Sequence, residues 1–537
     1  MKEYYKEQIE KQAKLNDDIE FNPFQKRVID NPSSSMIVAH DVGSGKTLSS
    51  IAKFEKMKEK GLANKALVVT PASLRHNFGN DGVKKFTDSK YNIVGNKGEI
   101  SKGLGSAPNK DSDYNIISYE MFRKNPEAIL QDTGADTVIA DEMHRLRNDD
   151  TSTLNSFKDT RDKYKNFIGL TGSIVNNHIS DIYNLVDLAS KGEHQLGETS
   201  KDFDKNYLRR SKSSKYKGLK ENRIPVEGFN NKKKLQNDLA RYVDYAGMDD
   251  VRPMAKIPFK ELHTEKVPLS KEQSKYYKQL IKNDPKLKEI IIKKRLETMK
   301  DDEVAKAFNR MIEARKLVNS IGSVTPGISL KDSAELSPKT KKMLDDMQHH
   351  LQETPDGQAI LLTNMINGGA DVLEAGLKNR HIDYGKFIGK GNKGVTEETR
   401  QNDVKDYNAR KKRVMLISGA GAEGLSLGDT TWEGALDGHY NPERMNQMEA
   451  RGIRAFGQSH RPENERKVDV NRYIATMPKT LGIFKSPYKT PDEVIYEIAG
   501  NKAKQNQLLY NLLDENNKKM KPKTSIIDKL KEKLSMR

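Results

Sequence analysis

Between residues 36 and 47 an apolar run, MIVAH, breaks directly into Asp41-Val42-Gly43-Ser44-Gly45-Lys46-Thr47, and a helix-forming stretch, LSSIAKFEKM, follows at once. A strand that ends on a glycine-rich loop and restarts as a helix belongs to an α/β domain, where the helix crosses back to the next parallel strand. Glycines at 43 and 45, with Ser44 between them, let the backbone wrap a phosphate so that amide N–H groups and the helix N-terminus face it. Lys46 would reach the β- and γ-phosphates of a nucleoside triphosphate, and Thr47 would offer its hydroxyl to Mg2+. His40 stands where the long form of this loop has its first glycine.

Further short runs follow at α/β spacing: ALVVT (66–70), NIISY (115–119), TVIAD (137–141) and FIGLT (167–171). Unbroken apolar runs of this length mark strands buried on both faces, so the sheet should be parallel, with helices on either side and the informative loops at the strand C-terminal ends. TVIAD delivers Asp141 and Glu142 to such an end. There Asp141 can hold Mg2+ through water and Glu142 can orient or deprotonate an attacking water; the alternative is that both cap the next helix. A second alternation, QAILLT (358–363), HIDYGKFIG (381–389) and VMLIS (414–418), predicts a second α/β lobe.

The chain carries 94 Lys and Arg against 76 Asp and Glu, a net charge of +18, which favours a polyanionic partner and nucleic acid first. It has no cysteine, which excludes disulfides, thiolate zinc sites and thiol nucleophiles, and its eleven histidines show no metal-ligand spacing. The N-terminus, MKEYYKEQIEKQAK, lacks the apolar centre of a signal peptide, and no apolar run approaches a membrane span, so a soluble, reducing, cytoplasmic setting without membrane contact is expected. Residues 201–234 hold twelve Lys and Arg against four Asp and Glu, either a solvated insertion or a polyanion-binding element.

The order of segments resembles the superfamily 2 helicases, and within them the Swi/Snf-like ATPases. NPFQKRVI (22–29) is similar to the glutamine-containing segment ahead of the phosphate loop, which implies that Gln25 reads adenine. LVVTPASLRHNF (67–78) is similar to motif Ia, IADEMHRLRN (139–148) to the DExH motif and LTGSIVNN (170–177) to motif III. SGAGAEGLSL (418–427), with Gly424, resembles motif V; NPERMNQMEARGIRAFGQSHRP (441–462) resembles motif VI, with Gln447, Arg451 and Arg454 at its functional positions. The details of motifs V and VI look closest to the poxviral nucleoside triphosphate phosphohydrolase group, which suggests a viral or phage origin, the host cytoplasm or packaging in a virion. Two departures stand out: Ala450 where motif VI usually has glycine, and Gly172-Ser173-Ile174 where Gly-Thr-Pro is usual.

The resemblance implies two RecA-like parallel-sheet lobes in tandem, with a helical insertion and a helical C-terminal extension, using ATP and Mg2+. The expected layout is an N-terminal helix and first lobe (1–190), a basic insertion (191–255), a helical region and linker (256–325), a second lobe (326–485) and a helical, basic tail (486–537). Asn441 and Pro442 predict a helix start, placing Gln447, Arg451 and Arg454 on one helical face. Two arginines on one face repel unless an anion lies between them; a triphosphate on the first lobe would be that anion, and the alternative is a solvated basic helix.

The expected activity is a nucleic-acid-dependent ATPase or translocase that grips DNA, duplex favoured, through phosphates, with Ser73, Arg75, Ser118 and Tyr119 as candidate contacts. The rivals are a nucleic-acid-independent ATPase acting on a protein partner such as a polymerase, and a catalytically silent helicase fold.

Overall fold

The structure, a computed structural model, describes residues 19–175, 178–216, 224–293, 301–389, 395–419, 425, 427–454, 457–479, 486 and 488–520. It divides into two compact units, one formed by Met1–Ser211, Val226–Met254 and Gln505–Arg537, the other by Lys212–Pro225 and Ala255–Lys504.

The strands of the first unit are β1 (Ser35–His40), β2 (Ala66–Thr70), β3 (Tyr91–Ile93), β4 (Tyr114–Ser118), β5 (Thr137–Ala140), β6 (Asn166–Thr171), β7 (Leu208–Arg210), β8 (Val226–Phe229) and β9 (Val243–Ala246). Among the described residues seven of them form one sheet in the order β3-β4-β2-β5-β6-β1-β9, and every pairing is parallel. The unbroken apolar runs have a simple cause. Ile37, Leu67, Val69, Val138 and Phe167 enter one core, while Met36, Val38, Val68, Ile139 and Ile168 enter another on the opposite face. Side chains alternate across a strand, so a sheet covered on both sides needs an apolar residue at nearly every position.

The second unit contributes β10 (Phe259–Pro268), β11 (Gln358–Thr363), β12 (Gly385–Phe387), β13 (Val414–Ser418), β14 (Thr430–Ala435) and β15 (Lys467–Thr476). They form a parallel sheet in the order β10-β15-β14-β11-β13-β12. The same two-sided logic holds: Ala359 and Leu361 pack into one core, Ile360 and Leu362 into the other. The chain therefore has the tandem α/β architecture expected from its sequence.

The structure carries the first unit beyond residue 190. The basic stretch supplies Phe203, Tyr207, Leu208, Val226, Leu235 and Leu239 to the first core, and β9 pairs with β1. Its apolar residues are too few to show periodicity, yet they are spaced to reach a core whose remainder lies elsewhere in the chain. In the helix Lys232–Ala240, Leu235 and Leu239 face inward one turn apart, while the ammonium groups of Lys232 and Lys234 meet Glu515 and Asp238 at 2.8 and 2.9 Å.

The helical region appears as Lys271–Asn283, Pro285–Lys293 and Asp301–Asn319. The linker beginning at Gly322 is half helix, because Ser329 caps the helix Leu330–Leu336 by accepting from the Asp332 amide at 3.1 Å. The last helix, Pro491–Met520, gives Val494 and Ile495 to a core of the second unit and Leu509, Leu512 and Leu513 to a core of the first. The basic end, 521–537, lies outside the described residues. Among the described residues no helix is long and apolar enough to cross a membrane.

Candidate functional site

Strands β5, β6 and β1 are consecutive in the first sheet and parallel, so the loops after Ala140, Thr171 and His40 leave the same edge side by side. They carry Asp141-Glu142, Gly172-Ser173 and the loop Asp41–Thr47. Gly43 and Gly45 hold φ of 83° and 72°, left-handed values that a glycine adopts without steric cost. A Cβ at Gly45 would also lie 2.7 Å from Gln25 Nε2.

Gln25 is buried and braces this loop. Its Nε2 donates to the Ser44 carbonyl at 3.0 Å, and its Oε1 accepts from the Asn22 amide at 2.9 Å. The Lys46 ammonium donates to the carbonyls of His40 and Asp41 at 3.0 and 3.3 Å, and a Cβ on Gly172 would sit 3.5 Å from it. The buried Ser44 Oγ has no hydrogen-bond partner among the described residues. Thr47 stands in the first turn of the helix Lys46–Glu59.

A triad of buried His40 and Asp244 with half-buried Arg27 escaped the sequence reading. His40, fully buried, meets Asp244 Oδ1 at 2.7 Å through Nε2. The Arg27 guanidinium grips the same carboxylate at 2.6 and 2.7 Å and donates to the Tyr245 carbonyl at 2.8 Å. Burial lowers the His40 pKa below its ordinary value in spite of Asp244, so the ring is neutral and donates. Burial would raise the Asp244 pKa, but the hydrogen bonds from His40 and Arg27 hold it below the usual carboxylate range. A histidine in place of the loop's first glycine was the one available signal; its partner sits 204 residues away.

Asp141 accepts from Thr70 Oγ1 at 2.9 Å and from the Glu142 amide at 3.1 Å, and the Tyr119 hydroxyl donates to its carbonyl at 2.6 Å. Burial, and then the neighbouring Glu142, push its pKa up to about 6. A cation would relieve that cost, and the hydroxyl of Thr47 with the carboxylate of Asp141 is the oxygen donor set a hard divalent ion takes. Glu142 sits at φ 52°, a left-handed conformation uncommon for glutamate, with His144 Nδ1 3.1 Å from its carboxylate. Lysine, loop amides, a hydroxyl and two carboxylates at one sheet edge form an environment suited to a metal-bound triphosphate.

In the second unit, Asn441 caps the helix Pro442–Glu449 by accepting from the amides of Glu443 and Arg444 at 3.0 and 3.3 Å. The helix start is as expected, but its end is not. Gln447 lies within it, while Arg451 and Arg454 follow it in turns, so a shared helical face does not join the three. Gly452 is a poor helix former, and the Arg451 amide turns back to the Met448 carbonyl at 3.1 Å instead of continuing the helix. The Arg454 guanidinium donates to the Leu425 carbonyl. Gly424 lies outside the described residues.

Of the four nucleic-acid contacts expected, the structure leaves Ser73 exposed and takes three away from solvent. Arg75 is buried against Glu99, at 2.5 and 3.1 Å, and the Val94 carbonyl. Ser118 caps the short helix Tyr119–Phe122, and the Tyr119 ring is buried under Asp141. Such long-range pairings leave no trace in a local motif.

The chain matches the SNF2-related domain family over residues 20–323 and the helicase conserved C-terminal domain over 341–456. It is 24% identical over 489 residues to L538 of Acanthamoeba polyphaga mimivirus, provisionally named an ATP-dependent RNA helicase, covering 90% of this chain and 94% of that one. It is 24% identical over 463 residues to the DNA repair and recombination protein RAD54 of Saccharomyces cerevisiae, covering 77% of this chain and 48% of that protein, about half its length. Among solved structures, the Sulfolobus solfataricus SWI2/SNF2 ATPase core in complex with dsDNA matches with a TM-score of 0.36 at 16% identity, over 92% of this chain and 96% of that one.

Proposed function

The chain belongs to the SNF2-related family, and from that premise we propose that it is an ATP-driven motor that grips duplex DNA by its phosphates and moves along it. The observation that carries the reading is the alignment of three loops on β1, β6 and β5, which sets Lys46, Gly172 and the Asp141-Glu142 pair at one sheet edge. Lys46 and the amides of the Gly43–Thr47 loop bind and orient the triphosphate, while Gln25 braces the loop through the Ser44 carbonyl and would read the base as the family resemblance implies. Thr47 and Asp141 would hold Mg2+, which when bound neutralises charge between the β- and γ-phosphates. Glu142 takes the proton of the attacking water. Arg451 and Arg454 supply positive charge to the transferring phosphoryl group, and Gln447 adds a neutral amide donor.

Support for a nucleic-acid substrate comes from the +18 charge and from relatives named for DNA repair and for helicase activity. The likeness of motifs V and VI to the poxviral group, joined by a mimivirus relative, extends the proposal to a viral or phage setting. The test is ATP turnover measured alone, with single strands and with duplex DNA. Stimulation by duplex supports translocation, stimulation by single strands alone points to strand tracking, and no response to any polymer points to a protein partner such as a polymerase.

A further inference from the structure

Glu433 stands in the middle of β14, a central strand whose six residues are all buried, and its side chain is fully inaccessible. A carboxyl group there needs a reason, since burying a polar group without hydrogen-bond partners is strongly unfavourable. Its Oε1 accepts from the Gly452 amide at 3.0 Å, in a bond buried on both sides. Gly452 is fitted to this contact, because a Cβ there would fall 2.2 Å from Glu433 Oε1 and 2.8 Å from Thr430 Cβ. Gly452 lies between Arg451 and Arg454.

The segment is secured at its other end as well. Glu449, the last residue of the motif VI helix, is fully buried and accepts two hydrogen bonds from Arg472 of β15, at 2.7 and 2.8 Å, and another from Lys260 of β10. The Leu427 amide donates to the Arg451 carbonyl at 3.1 Å, and the Arg454 carbonyl accepts from Gly457 at 2.9 Å. Three strands thus hold residues 449–454, β10 and β15 at Glu449 and β14 at Gly452, the segment from which both arginines project. Burial, with Glu449 nearby, raises the Glu433 pKa well above the usual carboxylate range, which favours the uncharged acid, and its Oε1 serves as an acceptor.

We infer that Glu433 is a positioning residue that sets Arg451 and Arg454 for phosphoryl transfer through the amide of Gly452. The inference rests on the reading above that these arginines act on the triphosphate. A glutamine at 433 preserves size, neutrality and the acceptor oxygen. A methionine removes the acceptor, leaves the Gly452 N–H unpaired and frees the segment to shift, and a displacement of about 1 Å in a catalytic group is enough to cost up to about a hundredfold in rate.

The experiment measures kcat, nucleotide affinity in a binding assay and folded state by circular dichroism for Glu433→Gln, Glu433→Met, Arg454→Ala and the Glu433→Met/Arg454→Ala pair. Glu433→Gln should keep kcat within about threefold, whereas Glu433→Met should lose at least about tenfold with nucleotide affinity unchanged. The double variant should lose less relative to Arg454→Ala than Glu433→Met loses relative to wild type, because one of the two positioned groups is already gone. Gly452→Ala, which displaces the Glu433 carboxyl without changing β14, should reproduce the Glu433→Met loss if that variant is poorly folded. Wild-type turnover in Glu433→Met, equal losses in Gln and Met, or a full additional loss in the double variant would overturn the inference. Wild-type turnover in Arg454→Ala would instead remove the arginine reading on which it stands.

Discussion

Lys46 rests its ammonium on two backbone carbonyls of its own loop, contacts that a lysine exchanges readily for phosphate oxygens. Lys46→Ala should therefore abolish ATP turnover while leaving the first unit folded, since no core side chain is lost; near wild-type turnover in the folded variant would misplace the phosphate site. Glu142→Gln should keep nucleotide affinity and lose hydrolysis, because it changes water activation and not the hold on phosphate. Both residues were legible from sequence because strand, loop and helix follow one another along the chain. Arg75 was not, because its charge is consumed by Glu99, 24 residues on, and exposure had to be guessed from residue type. Asp244 and Glu433 were invisible for the same reason: each is defined by a partner brought in by the fold.

Strands covered on both faces announced themselves as apolar runs, and β1, β2, β4, β5, β6, β11 and β13 fall where such runs stand. β14 and β15 break the pattern with Glu433, Asp469, Asn471 and Arg472, so no run marks them; Glu433 accepts from the Gly452 amide and Arg472 donates to Glu449, partners that lie far along the chain. The end of the motif VI helix was misplaced by the assumption that period 3.6 continues through Gly452.

That junction also makes a pH-dependent prediction. Burial would raise the Glu449 pKa, but Arg472 and Lys260 hold it below the usual glutamate range. A depressed carboxylate contributes stability above its unfolded pKa and loses it as pH falls through the folded one. Thermal melts of wild type and Glu449→Gln should thus differ most near neutral pH, with the gap shrinking below about pH 4.5. A gap that is constant down to pH 3 would show that the ion cluster carries no such linkage.

The basic stretch makes a contrasting case, since part of its charge serves the fold. Replacing Lys232, Lys233 and Lys234 with glutamine should weaken DNA binding and flatten its salt dependence, while the maximal ATPase rate at saturating DNA stays unchanged. Because Lys232 pairs with exposed Glu515 and Lys234 with buried Asp238, a loss of thermal stability should accompany it, arising mainly at Asp238. Unaltered binding and salt slope would take this cluster off the DNA path.

At the scale of the whole molecule, the tandem of two parallel sheets was predictable from runs and loops, and the family match covers residues 20–323 and 341–456. The compact units differ from segments drawn along the chain, because residues 226–254 and 505–520 return to the first unit from a distance. A net charge of +18 gives the chain a long-range attraction to a polyanion, the grip that the proposed function couples to a nucleotide cycle. The most direct test is steady-state ATP hydrolysis by the full chain with and without duplex DNA, across a salt series, beside Lys46→Ala as the control. The account predicts turnover that rises with duplex DNA, declines steeply as salt releases the phosphate contacts, and vanishes in Lys46→Ala. Turnover that is unaffected by duplex DNA at every salt concentration would contradict it.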